Sequence, residues 1–173
     1  MEEIEKVLNF MVEIEKLKDV HRKTKPVGLS RYENSAEHSW HVCISVLMLK
    51  DYANETANID RVIKMLLIHD LGEIDVGDTI IYAGETQDIK DKEATALNRI
   101  LRLLPEGEAD EYMALWHEFE LGETSDAIYA KGHLKKLEFL FESKEAPHGN
   151  PHDSMDGGGR ATQEAKAECT RVT

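Results

Sequence analysis

The stretch DRVIKMLLIHDLGEIDVGD, residues 60–78, decides the fold of this chain. Asp60 is predicted to cap the start of a helix, and Gly72 is predicted to mark its end. Between them, apolar side chains point to nearly every side of the helix: Val62, Ile63, Met65, Leu66, Leu67 and Ile68. A helix that is apolar on most sides is expected to be buried at the centre of a domain.

Further helices are predicted on both sides of this central helix. Residues 3–18 carry an apolar stripe at helical spacing with Glu and Lys opposite. Asn34 and Glu37 have the spacing of a capping box, which predicts a helix over 35–53. Helical spacing returns over 92–104, 107–121 and 125–141. Almost nothing before residue 143 alternates with period two, so the sequence predicts an all-α bundle of about six helices.

Three segments lack this periodicity. Residues 21–32 contain Pro26, Gly28 and the only local cluster of basic side chains, and are predicted to be a loop. Residues 74–88, rich in Asp and Gly, are predicted to be a second loop. From residue 143 onward the chain is rich in Gly, Pro and polar residues. We therefore expect one domain over 1–142 and a disordered or loosely attached tail over 143–173.

Composition excludes several classes of protein. The 173 residues include 21 Lys and Arg against 34 Asp and Glu, a formal net charge of −13. Such a charge repels phosphodiester backbones, so no nucleic-acid polymer is expected as a partner. No apolar run reaches the roughly 20 residues that span a bilayer, and no secretory signal is visible, so a cytoplasmic location is expected. Cys43 and Cys169 form neither a disulfide framework nor a metal-binding CxxC pair.

The adjacent pair His69 and Asp70 closes the apolar helix. Burying ionisable groups is costly unless a partner compensates their charge. A divalent metal would do so, since imidazole and carboxylate groups suit Mn, Fe, Co, Zn or Mg. The alternative is that His69 caps the helix while Asp70 pairs with a surface lysine.

Three further segments accompany residues 64–78: LKDVHR (17–22), RYENSAEHSWH (31–41) and LWHEFELGETSDA (115–127). With the spacing HDxxExxxxD after an upstream EHS and a basic loop, the chain resembles the HD-domain metal-dependent phosphohydrolases over about residues 15–130. Within that superfamily it is most similar to the bacterial 5'-deoxynucleotidase branch.

The resemblance implies roles for five residues. His38, His69 and Asp70 would bind one divalent metal ion. Glu73 would position or activate the attacking water, and Asp78 would be a second catalytic acid. This is coherent, because a divalent cation activates bound water and polarises a phosphoryl oxygen while a carboxylate accepts a proton. The alternative for Glu73 and Asp78 is a solvated acidic loop.

Two arginines are candidates for substrate binding. Arg22 matches the family position that grips the substrate phosphate, although it could be an ordinary loop cation. Nucleotidase relatives often have Trp after this arginine, where this chain has Lys23, and that departure leaves the substrate open. Arg31 is either a second phosphate contact or the ion-pair partner of Glu33.

The two tryptophans, Trp40 and Trp116, are expected in the core.

The resemblance also implies a fourth metal ligand, an Asp on a late helix, which this chain lacks. Depending on the alignment, Leu134 or Lys135 stands at that position. His133 is the nearest substitute, although a surface histidine is the expected alternative. We therefore hypothesise that the sequence from about residue 131 is altered relative to its relatives, for instance by a frameshift.

These observations predict a metal-dependent phosphohydrolase of small nucleotides. The resemblance implies release of phosphate from deoxyribonucleoside 5'-monophosphates, and it also implies homodimer formation. One alternative is hydrolysis of another nucleotide or a phosphodiester. Another is a non-catalytic HD-fold binding protein whose metal site is impaired.

Overall fold

A computed structural model describes residues 2–52, 57–78 and 87–145. These residues form seven α-helices and no extended strand, which confirms the all-α prediction. Two short 3-10 helices, Glu15–Asp19 and Lys50–Tyr52, follow α1 and α2 respectively. The α-helices are α1 (Glu2–Ile14), α2 (Ser35–Leu49), α3 (Ile59–Ile68), α4 (Glu73–Val76), α5 (Gln87–Leu101), α6 (Glu108–Leu121) and α7 (Ser125–Glu145).

Helix α3 lies at the centre of the bundle, where it packs against α2, α6 and α7. Val62, Met65 and Leu66 are fully buried, whereas Leu67 is exposed, so only one side of the helix is in the core. The predicted N-cap at Asp60 is wrong. The cap is Asn58, whose side chain accepts a hydrogen bond from the backbone N–H of Arg61.

One arginine joins the central helix to two others. Arg61 of α3 forms ion pairs with Glu118 of α6 and with Asp126 of α7. Glu118 also accepts a hydrogen bond from the Thr124 hydroxyl between α6 and α7. These contacts give Glu118 a structural role, because it links three segments that surround the core.

Helix α2 begins at the predicted capping box, which is confirmed. The Asn34 side chain accepts from the Glu37 backbone N–H at 2.9 Å, and the Glu37 carboxylate accepts from the Asn34 N–H at 2.8 Å. One face of α2 is buried and contains His38. The opposite face exposes Trp40, whose expected place in the core is therefore wrong, whereas Trp116 of α6 is buried as expected.

The basic segment 21–32 is bounded by a short antiparallel pairing that the sequence analysis did not predict. The Arg22 backbone N–H donates to the Glu33 carbonyl at 2.8 Å, and the Glu33 N–H donates to the Thr24 carbonyl at 3.0 Å. An isolated bridge joins His21 to Asn34. The pairing sets the side chains of Arg22 and Glu33 beside the start of α2.

The chain leaves α3 by a tight turn and enters the single-turn helix α4. A Cβ atom at Gly72 would lie only 2.8 Å from the backbone oxygen of Glu93 on α5. Glycine is therefore required here, because the turn could not otherwise approach α5 so closely. The predicted loop over 74–88 contains α4, and its residues 79–86 lie outside the described part of the chain.

Helix α7 continues to Glu145, three residues past the predicted domain boundary. The remainder of the predicted tail lies outside the described residues. Within the described ranges, no helix is both long and apolar enough to span a membrane.

Candidate active site

A cavity of about 460 Å³ opens between α2, the turn after α3, α6 and α7. Its volume lies within the range of about 300 to 1,000 Å³ that small-molecule sites occupy. Acidic and basic side chains line it together. The predicted site residues among them are Arg22, His38, His69, Asp70, Glu73 and Asp78.

Three of these residues form a group that could hold a metal ion. His38, His69 and Asp70 each offer one ligand atom, and these atoms lie within 4.8 Å of one another. Nε2 of His69 is 3.0 Å from Oδ1 of Asp70. Nε2 of His38 and Oδ2 of Asp70 are buried without a hydrogen-bond partner. Buried polar atoms normally have such a partner, so these two fit a site built for a cation.

The other ring nitrogen of each histidine has an oxygen nearby. Nδ1 of His38 lies 3.4 Å from a carboxylate oxygen of Glu33. Nδ1 of His69 lies 2.7 Å from the Leu66 carbonyl oxygen. Both oxygens can only accept hydrogen bonds, so they favour the proton on Nδ1, which leaves the Nε2 lone pair of His38 for a metal. Nε2 of His69 also faces an acceptor, Oδ1 of Asp70, and a cation held by both groups would favour the same tautomer there.

The environment changes the pKa of the buried acids and of His69. Burial lowers the pKa of His69 to about 4, so the ring is neutral, the form that binds metals. Burial also raises the pKa of Asp70, although His38 and Arg22 act in the opposite direction. Asp70 therefore gains from a nearby cation, which stabilises its charged form.

Burial, assisted by the charges of Asp70 and Asp78, raises the pKa of Glu73 to about 8. The Ser35 hydroxyl donates a hydrogen bond of 2.6 Å to the Glu73 carboxylate, which partly offsets that rise. Perturbed acids in a cleft are typical of catalytic sites. Asp78 lines the same cavity, so the structure brings both predicted catalytic acids to the histidines.

Arg22 is nearly buried beside the histidine cluster. Its Nη1 atom lies 3.6 Å from Oδ2 of Asp70, and its Nε atom lies 3.7 Å from Oε2 of Glu33. Arg31, in contrast, does not line the cavity. It forms hydrogen bonds of 2.5 and 2.8 Å to the two carboxylate oxygens of Glu37, rather than pairing with Glu33 as considered above.

The alternative interpretation of the pair, a helix cap at His69 and a surface ion pair at Asp70, is correct only for His69. His69 does stand at the C-cap of α3. Asp70, however, is buried beside Arg22 and His69 rather than paired with a surface lysine. Helix capping alone therefore does not account for the pair.

Helix α7 presents Leu134 and Lys135 to the cavity, the two positions where the alignment places the missing aspartate. His133 is buried, so the expectation of a surface histidine is wrong. Its Nε2 atom lies 2.9 Å from the Ser45 hydroxyl, and it does not line the cavity. His133 neither lines the cavity nor belongs to the group of possible metal ligands, so it does not replace the fourth ligand.

Several cavity residues were not singled out from the sequence. Glu93 comes from α5, Glu120 from α6 and Lys131 from α7. Lys131 donates to the Glu120 carbonyl and lies over the Phe119 ring. Each comes from an ordinary helical stretch, so no local pattern distinguishes it. The Ser35 contact to Glu73 spans 38 positions and was equally invisible, although Ser35 lies within the quoted motif.

Known proteins share this arrangement of helices. A protein described as a predicted metal-dependent phosphohydrolase from Magnetospirillum magnetotacticum MS-1 superimposes with a TM-score of 0.77 at 42% identity, over 83% of this chain and 74% of that one. Human 5'-deoxynucleotidase HDDC2 is 28% identical over 119 residues, 68% of this chain. The Xenopus laevis protein of the same name is 28% identical over 141 residues, 80% of this chain and 68% of that protein.

The chain spans only 56% of the length of the human protein that it matches. The family model described as HD domain, in contrast, matches residues 14–166 and thus extends past the end of α7. This match covers most of the sequence and contains the histidine cluster and helices α2 to α7. The chain therefore belongs to the HD domain family.

Proposed function

We propose that this protein is a metal-dependent phosphohydrolase of small nucleotides. One observation carries the proposal: the ligand atoms of His38, His69 and Asp70 lie within 4.8 Å of one another at a cavity that also contains Arg22 and Glu73. Metal ligands, a phosphate-binding cation and a carboxylate are the groups that phosphoester hydrolysis requires.

The proposed cofactor is one divalent metal ion, with Mn, Co, Mg, Fe or Zn all compatible with nitrogen and oxygen ligands. Nε2 of both histidines and the carboxylate of Asp70 would hold it. When bound, a divalent cation supplies a Lewis acid for the phosphoryl oxygen and lowers the pKa of water and of nearby acids.

The residues of the chain have distinct proposed roles in the reaction. Arg22 binds the phosphate oxygens, for which the planar guanidinium is well suited. Glu73, held by the Ser35 hydroxyl, accepts a proton from the water as its oxygen bonds to phosphorus. A protonated Asp78 donates a proton to the 5' oxygen of the sugar as the bond between that oxygen and phosphorus breaks, and the proton accepted by Glu73 then passes to Asp78 and restores both acids. The products are then a nucleoside and inorganic phosphate.

The proposed substrate class is the deoxyribonucleoside 5'-monophosphates. The vertebrate relatives are named 5'-deoxynucleotidase, and the bacterial neighbour is described as a metal-dependent phosphohydrolase. The cavity of about 460 Å³ is large enough for a small molecule. A cytoplasmic location and a homodimer stay predictions from the sequence and its resemblance.

Two alternatives remain distinct from this proposal. Hydrolysis of another nucleotide or of a phosphodiester would use the same groups. A non-catalytic nucleotide-binding role is favoured by one observation: Leu134 and Lys135 line the cavity where an aspartate ligand is expected from the resemblance. An impaired metal site would then leave binding without turnover.

The test is phosphate release from a panel of substrates by metal-free protein supplied with Mn²⁺, Co²⁺ or Mg²⁺. The panel contains deoxyribonucleoside and ribonucleoside 5'-monophosphates and a phosphodiester. We expect release from the deoxyribonucleotides, and a loss of about 100-fold or more in Glu73→Gln because general base catalysis is removed. The matched control is Asp110→Asn, since Asp110 is an exposed residue of α6 that lies outside this cavity and pairs with Arg102.

Release of phosphate that survives both Asp70→Ala and Glu73→Ala would refute the residue assignment. No release with any of the metals would refute the enzymatic function and favour the binding role. Turnover of the phosphodiester alone would establish the other hydrolase class.

A further inference from the structure

The carboxylate of Glu33 does not line the cavity, but it lies beside two residues that do, Arg22 and His38. Its position is set by the backbone pairing that joins residues 22–24 to Glu33, and by the Ser35 N–H, which donates to the Val20 carbonyl at 3.0 Å. The side chain is nearly buried, with 14% of its surface exposed. Little freedom is therefore left for this carboxylate to turn elsewhere.

Three polar side chains lie near a single oxygen of that carboxylate. Oε2 of Glu33 lies 3.4 Å from the Thr24 hydroxyl, 3.4 Å from Nδ1 of His38 and 3.7 Å from Nε of Arg22. Only the Thr24 contact is a hydrogen bond, whereas His38 and Arg22 lie at ion-pair distance, where the negative oxygen favours a nearby N–H group and a positive charge. One side chain thus constrains both the His38 ring and the Arg22 guanidinium.

The consequence for His38 is a choice between its two ring nitrogens. A proton held on Nδ1 by Glu33 leaves Nε2 as the lone-pair atom, and this is the buried atom without a hydrogen-bond partner. A carboxylate at the outer nitrogen of a metal-binding histidine also makes the ring a stronger ligand. The Arg22 guanidinium is attracted by two carboxylates. Glu33 attracts it at Nε, and Asp70 attracts it at Nη1, which lies 3.6 Å from Oδ2.

We propose that Glu33 is a positioning residue that couples metal binding by His38 to phosphate binding by Arg22. The inference rests on the proposed function, in which these two residues serve those roles. It adds that neither group is oriented independently, because both depend on one carboxylate oxygen.

The test is direct binding, which needs no turnover. Mn²⁺ affinity and inorganic phosphate affinity are measured by calorimetry for the parent chain, Glu33→Gln and Glu37→Gln. We expect Glu33→Gln to weaken Mn²⁺ binding by about 10- to 100-fold, the usual cost of losing such a partner, and to weaken phosphate binding as well. The Glu37→Gln variant is the matched control, because glutamine still serves the capping box while Glu37 lies outside the cavity.

The thermal midpoint of each metal-free variant separates positioning from folding. Should Glu33→Gln fail to fold, Glu33→Asp keeps the charge but withdraws it by one methylene, and a smaller loss of both affinities is expected. Parent-like affinity for both ions in either folded variant would overturn the inference, as would equal losses in Glu37→Gln. A parent chain that binds Mn²⁺ and phosphate but releases no phosphate from nucleotides would instead count against the proposed function alone.

Discussion

His38 and His69 each have Nδ1 beside an oxygen, which directs Nε2 of both rings toward another partner. Asp70 completes the group with a buried oxygen that has no hydrogen-bond partner. Glu73, next along the turn, is held by the Ser35 hydroxyl. At the scale of residues, the chemistry of the site therefore depends on which donors and acceptors are already engaged and which are left available.

A buried histidine elsewhere gives the fold a pH dependence. Burial lowers the pKa of His133, and the nearby charge of Lys136 acts in the same direction. As the pH falls below the ordinary value of about 6.5, the unfolded chain binds the proton first, so the free energy of unfolding decreases until the folded pKa is reached. We expect urea unfolding to show a smaller loss of stability between about pH 7.5 and pH 5 in His133→Gln than in the parent.

The control for this experiment is His117→Gln, because His117 is exposed on α6. It should show the same pH dependence as the parent. Identical pH profiles for His133→Gln and the parent would contradict the expected contribution of His133.

A second prediction concerns Lys135, one of the two residues at the position where a fourth metal ligand is expected. Lys135 lines the cavity, so its charge repels a metal ion there and attracts a phosphate. Lys135→Ala should therefore tighten Mn²⁺ binding and weaken phosphate binding, each by a few-fold, as measured by calorimetry. Lys136→Ala is the matched control, since Lys136 is exposed and does not line the cavity. Changes of equal sign for the two ions would refute the electrostatic argument.

Some of these residues could be predicted from the sequence and others could not. The adjacent pair at positions 69 and 70 is unusual at the end of an apolar helix, and its spacing to Glu73 and Asp78 is recognisable. Glu33 and Ser35 give no comparable signal, because their partners are identified only by distances across the fold. Arg31 shows the converse: its basic neighbourhood suggested phosphate binding, but it pairs with the partly buried Glu37 carboxylate and does not line the cavity.

At the scale of elements, the turn between α3 and α4 positions the site. Gly72 lets its backbone contact α5, so that His69, Asp70 and Glu73 lie together at the cavity. Arg99 of α5 ties the same region to its surroundings through ion pairs with Asp75 of α4 and Glu13 of α1. The turn is thus supported both by close packing and by charge.

Replacement of the glycine in this turn should be costly. In Gly72→Ala the added Cβ would lie 2.8 Å from the Glu93 backbone oxygen, so the turn or α5 must shift. We expect a loss of about 1 to 3 kcal/mol in the free energy of unfolding, measured by urea denaturation, together with weaker metal binding.

The matched control is Gly132→Ala on α7. An added Cβ there meets nothing within 4 Å. A glycine in a helix interior is less favourable than alanine by about 0.5 to 1 kcal/mol, so this variant should be slightly more stable. A Gly72→Ala variant as stable as the parent would show that the close approach to α5 is not required.

Helical periodicity predicted most elements because a buried stripe must recur with the helical repeat. Capping residues predicted the start of α2 correctly, because Asn34 and Glu37 form reciprocal hydrogen bonds there. They did not identify the start of α3, because Asn58 and Asp60 are both residue types that cap helices well. The pairing of Arg22 with Glu33 could not be predicted. Its hydrogen bonds join backbone groups, which every sequence has, across a segment rich in Lys and Arg.

At the scale of the whole molecule, a net charge of −13 favours cations over anions near the protein. The cavity departs from that average, because Arg22, Lys131 and Lys135 line it together with the acids. The proposed binding of a small anionic substrate depends on these three cations.

The extent of the domain stays a proposal. All described cavity residues lie before residue 136, which supports a catalytic unit that ends near α7. The match to the HD domain model nevertheless continues to residue 166. The hypothesis of an altered sequence from about residue 131 is tested by resequencing the gene: a family-like continuation in another reading frame would support it, and its absence would refute it.

The most direct test of the central claim is Mn²⁺ binding to metal-free protein, measured by equilibrium dialysis on the parent chain, Asp70→Asn and the control Asp110→Asn. If His38, His69 and Asp70 form the metal site, the parent and the control should each bind one ion per chain, and Asp70→Asn should lose that binding. A parent chain that binds no ion, or an Asp70→Asn variant that binds as tightly as the parent, would contradict the account.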